Sequence, residues 1–283
     1  MRFVVYQTPP DAAATLGVLR PRGVIPLGGV VSAGSPQDAL QQLIDHFDDL
    51  RPRLEALAGE GRAIPTGEVQ LRAPVPWPGK ILCSTAVYAP GAAAQRQQLL
   101  MTLKSAESVI GPGETIRLPD VPEPWSFVPQ AALGLVMRGP AKRVAADAWH
   151  TAVFGYTCVI DVMARGDSQF GRDYWLAKAD TLGPLGPCIV TTDEVADPRV
   201  LRIRSWQNGM PAQDFPIADA SHAIGEQVEL ATTVMTLYSG DILACGTSPE
   251  GPRPLADGDR IEVEIDAIGR LSLNVAALAR SRA

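Results

Sequence analysis

The feature that most constrains this chain is the alternation of apolar and polar residues between glycine and proline breaks. Ile261, Val263 and Ile265 alternate with charged residues, and Leu271, Leu273 and Val275 alternate with polar ones. A period of two puts one face of a strand in the core and the other in water. Short apolar runs at 81–83, 133–137, 156–162, 201–206 and 242–245 add further strands. Between two of them, Asn208-Gly209 suits a type I′ hairpin bend. One helix is clear in this half, with Ile224, Val228, Ala231 and Met235 on one face. The pattern predicts a mainly β core with a few helices, an α+β class.

The first part of the chain reads differently. Phe3 to Tyr6 and Gly17 to Leu19 suggest strands of a small sheet. Ser35 followed by Pro36 is the favoured entry to a helix, and Leu40, Leu43, Ile44 and Phe47 recur on one stripe of it. Pro52 is expected to interrupt that helix, with Leu54 and Leu57 on a second one that Gly59 and Gly61 end. The Pro-rich stretch from Pro74 to Lys80 reads as a linker, dividing a small N-terminal α+β domain (1–73) from a main domain (74–283).

Net charge −6 and a pI of about 5.2 argue against an electrostatic grip on nucleic acid or on anionic membrane. No apolar run approaches the roughly 20 residues that span a bilayer. The opening MRFVVYQTPPD lacks the apolar stretch of a secretory signal. A soluble, cytoplasmic protein is expected. Cys83, Cys158, Cys188 and Cys245 are scattered without a CxxC pair, as small buried core residues would be. With only His46, His150 and His222 present, a His-rich metal centre is excluded.

Six local motifs then follow in order: KSAESVIGPGETIRLP (104–119), FGYTCVIDVMARGDSQ (154–169), WLAKADTLGPLGPCIVT (175–191), QNGMPAQ (207–213), YSGDILACGTSPEG (238–251) and DGDRIEVEIDAIGRLSLNV (257–275). Together they resemble the fumarylacetoacetate hydrolase family across nearly all of 74–283. The resemblance implies a twisted β-sheet roll around a central pocket, usually in a homodimer. It also implies hydrolysis, decarboxylation or tautomerisation of keto acids and β-diketones, normally with Mg²⁺ or a similar hard cation held by carboxylates. Such an ion chelates adjacent carbonyl and enolate oxygens and stabilises developing negative charge.

Two departures from the family pattern stand out. Where it places Glu-x-Glu before the strand at 133–137, this chain has Gln130-Ala131-Ala132; the third carboxylate persists as Asp161. One carboxylate and one amide suit Mg²⁺ poorly, so the sequence reading assigns no metal ligands and no cofactor. Where the family often carries Asn-Tyr-x-x-His-x-x-Glu, the chain reads Val87 to Ala94: Tyr88 is kept, but Gly91 and Ala94 fall where the histidine and glutamate belong. The family's usual means of activating water is missing.

The resemblance places Lys178, Asp161 and Tyr88 as catalytic candidates, and Arg165, Gln130, Gln213 and Thr247 as substrate-binding ones. Each has a plainer reading. Lys178 can be an ion-paired lysine beside Asp180; Asp161 can pair with Arg165 or Lys178; Arg165 can bridge to Asp161 or Asp167; Tyr88 and Thr247 can be packed residues with one local hydrogen bond. Gln213 is expected on the pocket rim. Capping or solvent exposure accounts for His222, and a solvated helix face for His46. The reading is an enzyme for a carbonyl-rich small molecule, a keto acid, β-diketone or polyketide-like intermediate of secondary metabolism. It would act by metal-independent isomerisation, cyclisation or C–C bond chemistry, with an enolate stabilised by protein donors. The alternatives are a non-catalytic binding or partner subunit using the old pocket, and a conventional metal-dependent hydrolase of the family.

Overall fold

The computed structural model describes residues 1–9, 12–31, 33–88, 96–121, 124–166 and 171–277. The N-terminal strands do not form a sheet of their own. β1 (Arg2–Gln7), β2 (Thr15–Arg20) and β3 (Gly23–Pro26) form a meander, with β4 (Gln70–Arg72) also pairing to β1. β1 also pairs antiparallel with β10 (Leu185–Thr191), with Phe3 opposite Ile189. The order then runs β10, β9 (Val153–Arg165), β8 (Ser126–Met137), β13 (Ile242–Ala244), β5 (Ile81–Thr85) and β6 (Leu100–Lys104). Residues 1–73 and the later chain therefore share one ten-stranded sheet.

A second, five-stranded sheet has the order β12 (Met210–Pro216), β11 (Arg202–Gln207), β14 (Arg260–Ile265), β15 (Gly269–Ala277) and β7 (Thr115–Leu118). It packs on one face of the large sheet: Val4, Tyr6, Leu133, Leu135, Cys158 and Ile160 share a core with Ile203, Val263, Leu271 and Leu273. The opposite face of the large sheet is covered by α1 (Pro36–Asp45) and α2 (Phe47–Glu60), where Phe3, Val5 and Val159 meet Leu40, Leu43, Ile44 and Leu54. The central strands are thus buried on both faces. Phe3, Phe47 and Phe154 lock the helical side, with ring centroids 5.0–6.0 Å apart. Such aromatic pairs contribute about 0.5–1.5 kcal/mol each beyond the area they bury.

Ser35 caps α1 by accepting from the Asp38 amide, and Pro36 sits in its first turn. The helix break differs from expectation. It falls at His46, while Pro52 lies exposed inside α2, where water can satisfy the carbonyl its ring leaves unpaired. Asn208 and Gly209 both have positive φ (55° and 75°), the requirement of the type I′ bend that joins β11 to β12. All four cysteines are free and buried. Among the described residues, no helix is long and apolar enough to cross a membrane.

Candidate functional site

The site grows from the longest strand pair. β8 and β9 run antiparallel with Gln130 opposite Asp161, so both side chains project from the same face. The period of two carries Met163 and Arg165 onward on that face. At this end of the strands lies a cavity of about 370 Å³, lined among others by Ser84, Tyr88, Gln97, Gln130, Arg165, Asp173 and Thr247. Four candidates from the sequence therefore meet there: Tyr88, Gln130, Arg165 and Thr247.

Asp161 lies behind this lining, 5% exposed. Its partner is neither Arg165 nor Lys178. Lys104, at the end of β6, places Nζ 2.9 Å from Asp161 Oδ1 and donates to the Val162 carbonyl (2.9 Å) and the Ala177 carbonyl (2.6 Å). The contact with Asp161 is an ion pair rather than an aligned hydrogen bond, because Oδ1 has no partner of good angle. Gly183 makes room for Ser108 beside the lysine: a Cβ there would stand 2.5 Å from Ser108 Oγ. Asp167, the other partner considered for Arg165, is outside the described residues.

Around this pair the electrostatics are strongly shaped. Burial, reinforced by the Asp161 carboxylate and partly offset by Lys104 and Lys178, pushes the Cys83 thiol well above its usual range. Lys178 is half-buried, following α3 (Arg172–Leu176), and does not line the cavity. Its ammonium is held below the ordinary lysine value by burial first and by the Lys104 charge second, with Cys83 and Asp161 acting the other way. Asp161, Lys104, Cys83 and Lys178 thus form one interacting group beneath the cavity floor.

Other candidates find different places. Gln213 is not on the rim. It is buried, with Oε1 accepting from the Ala131 amide (3.2 Å) and Nε2 donating to Thr247 Oγ1 (2.9 Å) and the Ser248 carbonyl (2.8 Å). It braces Thr247, whose own hydroxyl proton is left to donate elsewhere. Tyr88 packs edge-on against Phe215, centroids 5.0 Å apart, and burial raises its phenol so that it stays neutral. His222 is neither a cap nor exposed but 7% accessible and hydrogen-bonded through both ring nitrogens. Gly91 and Ala94 lie outside the described residues. Lys104, Ser84, Gln97 and Asp173 are site residues the sequence reading did not single out; Lys104 opened a quoted motif, which was the available signal. Ser84 Oγ and Asp173 Oδ1 are buried at the cavity without hydrogen-bond partners among the described residues.

A hard divalent cation takes six or more oxygen ligands and favours negative charge. Beside Asp161 stand a neutral amide, Gln130, then Ala132 on the same strand face, and a lysine ammonium already on the carboxylate. These residues do not fit a multi-carboxylate cage. Among the described residues, no group of three or more histidine, cysteine, aspartate or glutamate side chains is placed to hold a metal.

The sequence profile described as fumarylacetoacetate (FAA) hydrolase C-terminal matches residues 83–276. The mitochondrial oxaloacetate tautomerase FAHD2A of Bos taurus is 32% identical over 95% of this chain and 90% of its own length. The oxaloacetate tautomerase YisK of Bacillus subtilis is 31% identical over 72% of each protein. A crystal structure of maleylpyruvate hydrolase from Sphingobium sp. SYK-6, in complex with manganese(II) ion and pyruvate, superposes with a TM-score of 0.87 at 31% identity, covering 99% of this chain and 100% of that one. That complex corrects the expectation of no cofactor: a protein of this fold and similarity binds a metal together with pyruvate. Motif order, the paired sheets and the profile match agree, and the chain belongs to the fumarylacetoacetate hydrolase family.

Proposed function

We propose that the protein is an enzyme interconverting the keto and enol forms of a small 2-oxo acid, with oxaloacetate as the first substrate to try. The observation that carries this reading is the stacking of a polar cavity, lined by Arg165, Gln130 and Thr247, over the buried Lys104–Asp161 pair, with half-buried Lys178 nearby. The planar guanidinium of Arg165 matches a substrate carboxylate. Thr247, braced by Gln213, and neutral Tyr88 offer hydroxyl donors to a carbonyl oxygen. Asp173, the carboxylate on the cavity wall, takes a proton from the carbon beside that carbonyl. The C–H electron pair becomes the C=C bond while the carbonyl π pair moves onto oxygen, giving the enolate, and returning the proton to oxygen completes the enol. Lys178, behind the cavity wall, adds positive potential that favours the enolate from a distance. The tautomerase names of two relatives support this choice over hydrolysis. In the same reading the protein works as a homodimer, checked by light scattering on the pure protein.

The test is spectroscopic. Enol-enriched oxaloacetate in aprotic stock is diluted into buffer, and decay of the enol absorbance is followed with and without protein. Catalysed decay that saturates with substrate supports the proposal. A rate equal to that of buffer, with and without added Mn²⁺, removes it.

A further inference from the structure

Tyr88 and Gln97 face the same cavity. The backbone at Val87 and at Gln97 is held by a single dipeptide just before α4 (Ile224–Val234). Ser221 donates twice to the Val87 carbonyl, from its amide (2.8 Å) and from its hydroxyl (2.6 Å). His222 Nε2 lies 2.8 Å from the Gln97 carbonyl, and Arg96 Nη2 lies 2.7 Å from His222 Nδ1. A carbonyl can only accept and a guanidinium can only donate, so these partners assign the neutral imidazole with its proton on Nε2. Arg96 is fixed in turn by both oxygens of Glu226, at 2.7 and 2.6 Å, and Glu226 also accepts from the Ala223 amide at 2.8 Å. Gln227, buried on the same helix, donates to the His222 carbonyl at 3.0 Å. Neither Ser221 nor His222 lines the cavity.

We infer that Ser221 and His222 are positioning residues, which set the spacing of Tyr88 and Gln97 across the cavity by gripping the backbone carbonyls of Val87 and Gln97. Five of the bonds described run from side chains of Ser221, Arg96 or His222, and most of their partners are backbone carbonyls or Glu226. A local hold of this kind differs from core packing, because its loss frees the backbone at Val87 and Gln97 and leaves the sheets intact. Substrate binding is where misplacement of a rim by an ångström is felt.

The experiment compares wild type, His222→Ala, His222→Gln and Ser221→Ala. Its kinetic arm rests on the keto-acid reading above; its exchange arm does not. For His222→Ala, KM for oxaloacetate should rise about tenfold with kcat within about twofold, the signature of lost binding rather than lost transition-state contact. Glutamine carries an N–H that can meet the Gln97 carbonyl and an oxygen that can meet Arg96, so His222→Gln should recover most of the loss. Ser221→Ala removes one of two donors to Val87 and should show a smaller KM rise. In hydrogen exchange, the amides of 86–88 and 96–99 should lose protection in His222→Ala while β8 and β9 keep theirs. Unchanged exchange at these positions in folded His222→Ala overturns the inference whether or not oxaloacetate is a substrate. Equal loss of protection everywhere also overturns it, as does a fall in kcat that glutamine does not repair. If His222→Ala does not fold, Ser221→Ala and His222→Gln are read against the same criteria. If wild type shows no oxaloacetate activity, the function fails and the exchange arm alone decides the hold.

Discussion

The two sheets place their charges in opposite ways. In the five-stranded sheet the outer face carries a ladder of half-exposed ion pairs, such as Arg204–Asp266 at 2.8 Å and Arg270–Glu264 at 2.7 Å. The inner face of β14 and β15 is apolar, and the polar residues on that of β11 and β12, Ser205, Gln207 and Gln213, are uncharged. In the ten-stranded sheet the central strands are buried on both sides, yet Asp161, Lys104, Ser84 and Thr157 are buried among them. Water pays little attention to the first arrangement, since exposed pairs lose almost no hydration. The second removes a carboxylate and an ammonium from water, a cost that only excellent pairing offsets. Charge retained where it is expensive points to chemistry, and the Lys104–Asp161 pair sits directly behind the cavity.

The largest expected effect follows from breaking that pair. Lys104→Met keeps most of the stem but leaves Asp161 buried without its cation and two carbonyls without their donor. Unpairing a buried charge of this kind costs about 3–5 kcal/mol. Urea melts should show that loss, and Lys104→Met combined with Asp161→Asn should recover part of it, giving a coupling between the two sites. Additive losses would show that the two side chains do not act as a pair.

Lys178 should affect turnover more than folding. If its potential favours the enolate from a distance, Lys178→Met should cost up to ~10²–10³ in rate, or about 3–4 kcal/mol of barrier. The pH dependence has a definite sign. Burial and Lys104 lower the Lys178 pKa, so its proton leaves at a lower pH than an ordinary lysine's, and activity should fall on that earlier alkaline limb. Lys178→Arg, charged throughout, should retain a fraction of the rate and lose the limb. A wild-type alkaline limb that persists unchanged in Lys178→Arg would assign it to another group.

The contrast between the sheets also explains what the sequence made legible. Clean alternation in β14 and β15 and the Asn208-Gly209 bend are local patterns, and the structure has them where expected. So is the Ser35-Pro36 helix start, and the six motifs carried the family and its sheet architecture. The rest depended on distant partners. Lys104 and Asp161 meet across strands far apart in the chain, and nothing adjacent to either announces the pairing. His222 looked like a solvated helix-start residue because Arg96 and Gln97, which bury and bond it, lie more than a hundred positions earlier. Gln213 was placed on a rim because its hairpin was readable while the inward turn of its amide toward Ala131 and Thr247 was not. Pro52 was read as a helix breaker because sequence alone does not say which side of the helix is wet.

A smaller effect is expected from restoring charge on β8. Gln130 stands opposite Asp161, so Gln130→Glu sets a second carboxylate beside the first. An added anionic ligand should tighten Mn²⁺ binding roughly tenfold relative to wild type, whatever the starting affinity. Calorimetric titration with Mn²⁺, with and without pyruvate, measures the ratio. An unchanged affinity would mean that a cation on this chain sits away from the β8–β9 register, and that the two strands do not form the metal-facing wall.

The smallest effect should come from the exposed ladder, and salt is the variable that separates it from the buried pair. Arg270 bonds Glu264 at 2.7 Å, lies 3.7 Å from Glu262, and stacks over the Trp206 ring at 4.5 Å. Removing it by Arg270→Ala should cost about 0.5–1 kcal/mol at low salt, the range of surface pairs with a modest cation–π contribution. The Coulombic part is screened once the Debye length shrinks to roughly 3 Å near 1 M salt, so most of the loss should vanish there. The part that remains belongs to the stem packed on Trp206, and Arg270→Met should recover it. Urea melts of both variants at low and high salt read these contributions directly. Lys104→Met, measured beside them, should keep its penalty at high salt because its partner is shielded from ions by burial. If the Arg270 penalty resists salt as well, the ladder is not the solvated face described here. If the Lys104 penalty melts away in salt, Asp161 is reached by solvent and the buried-charge argument for the site fails with it.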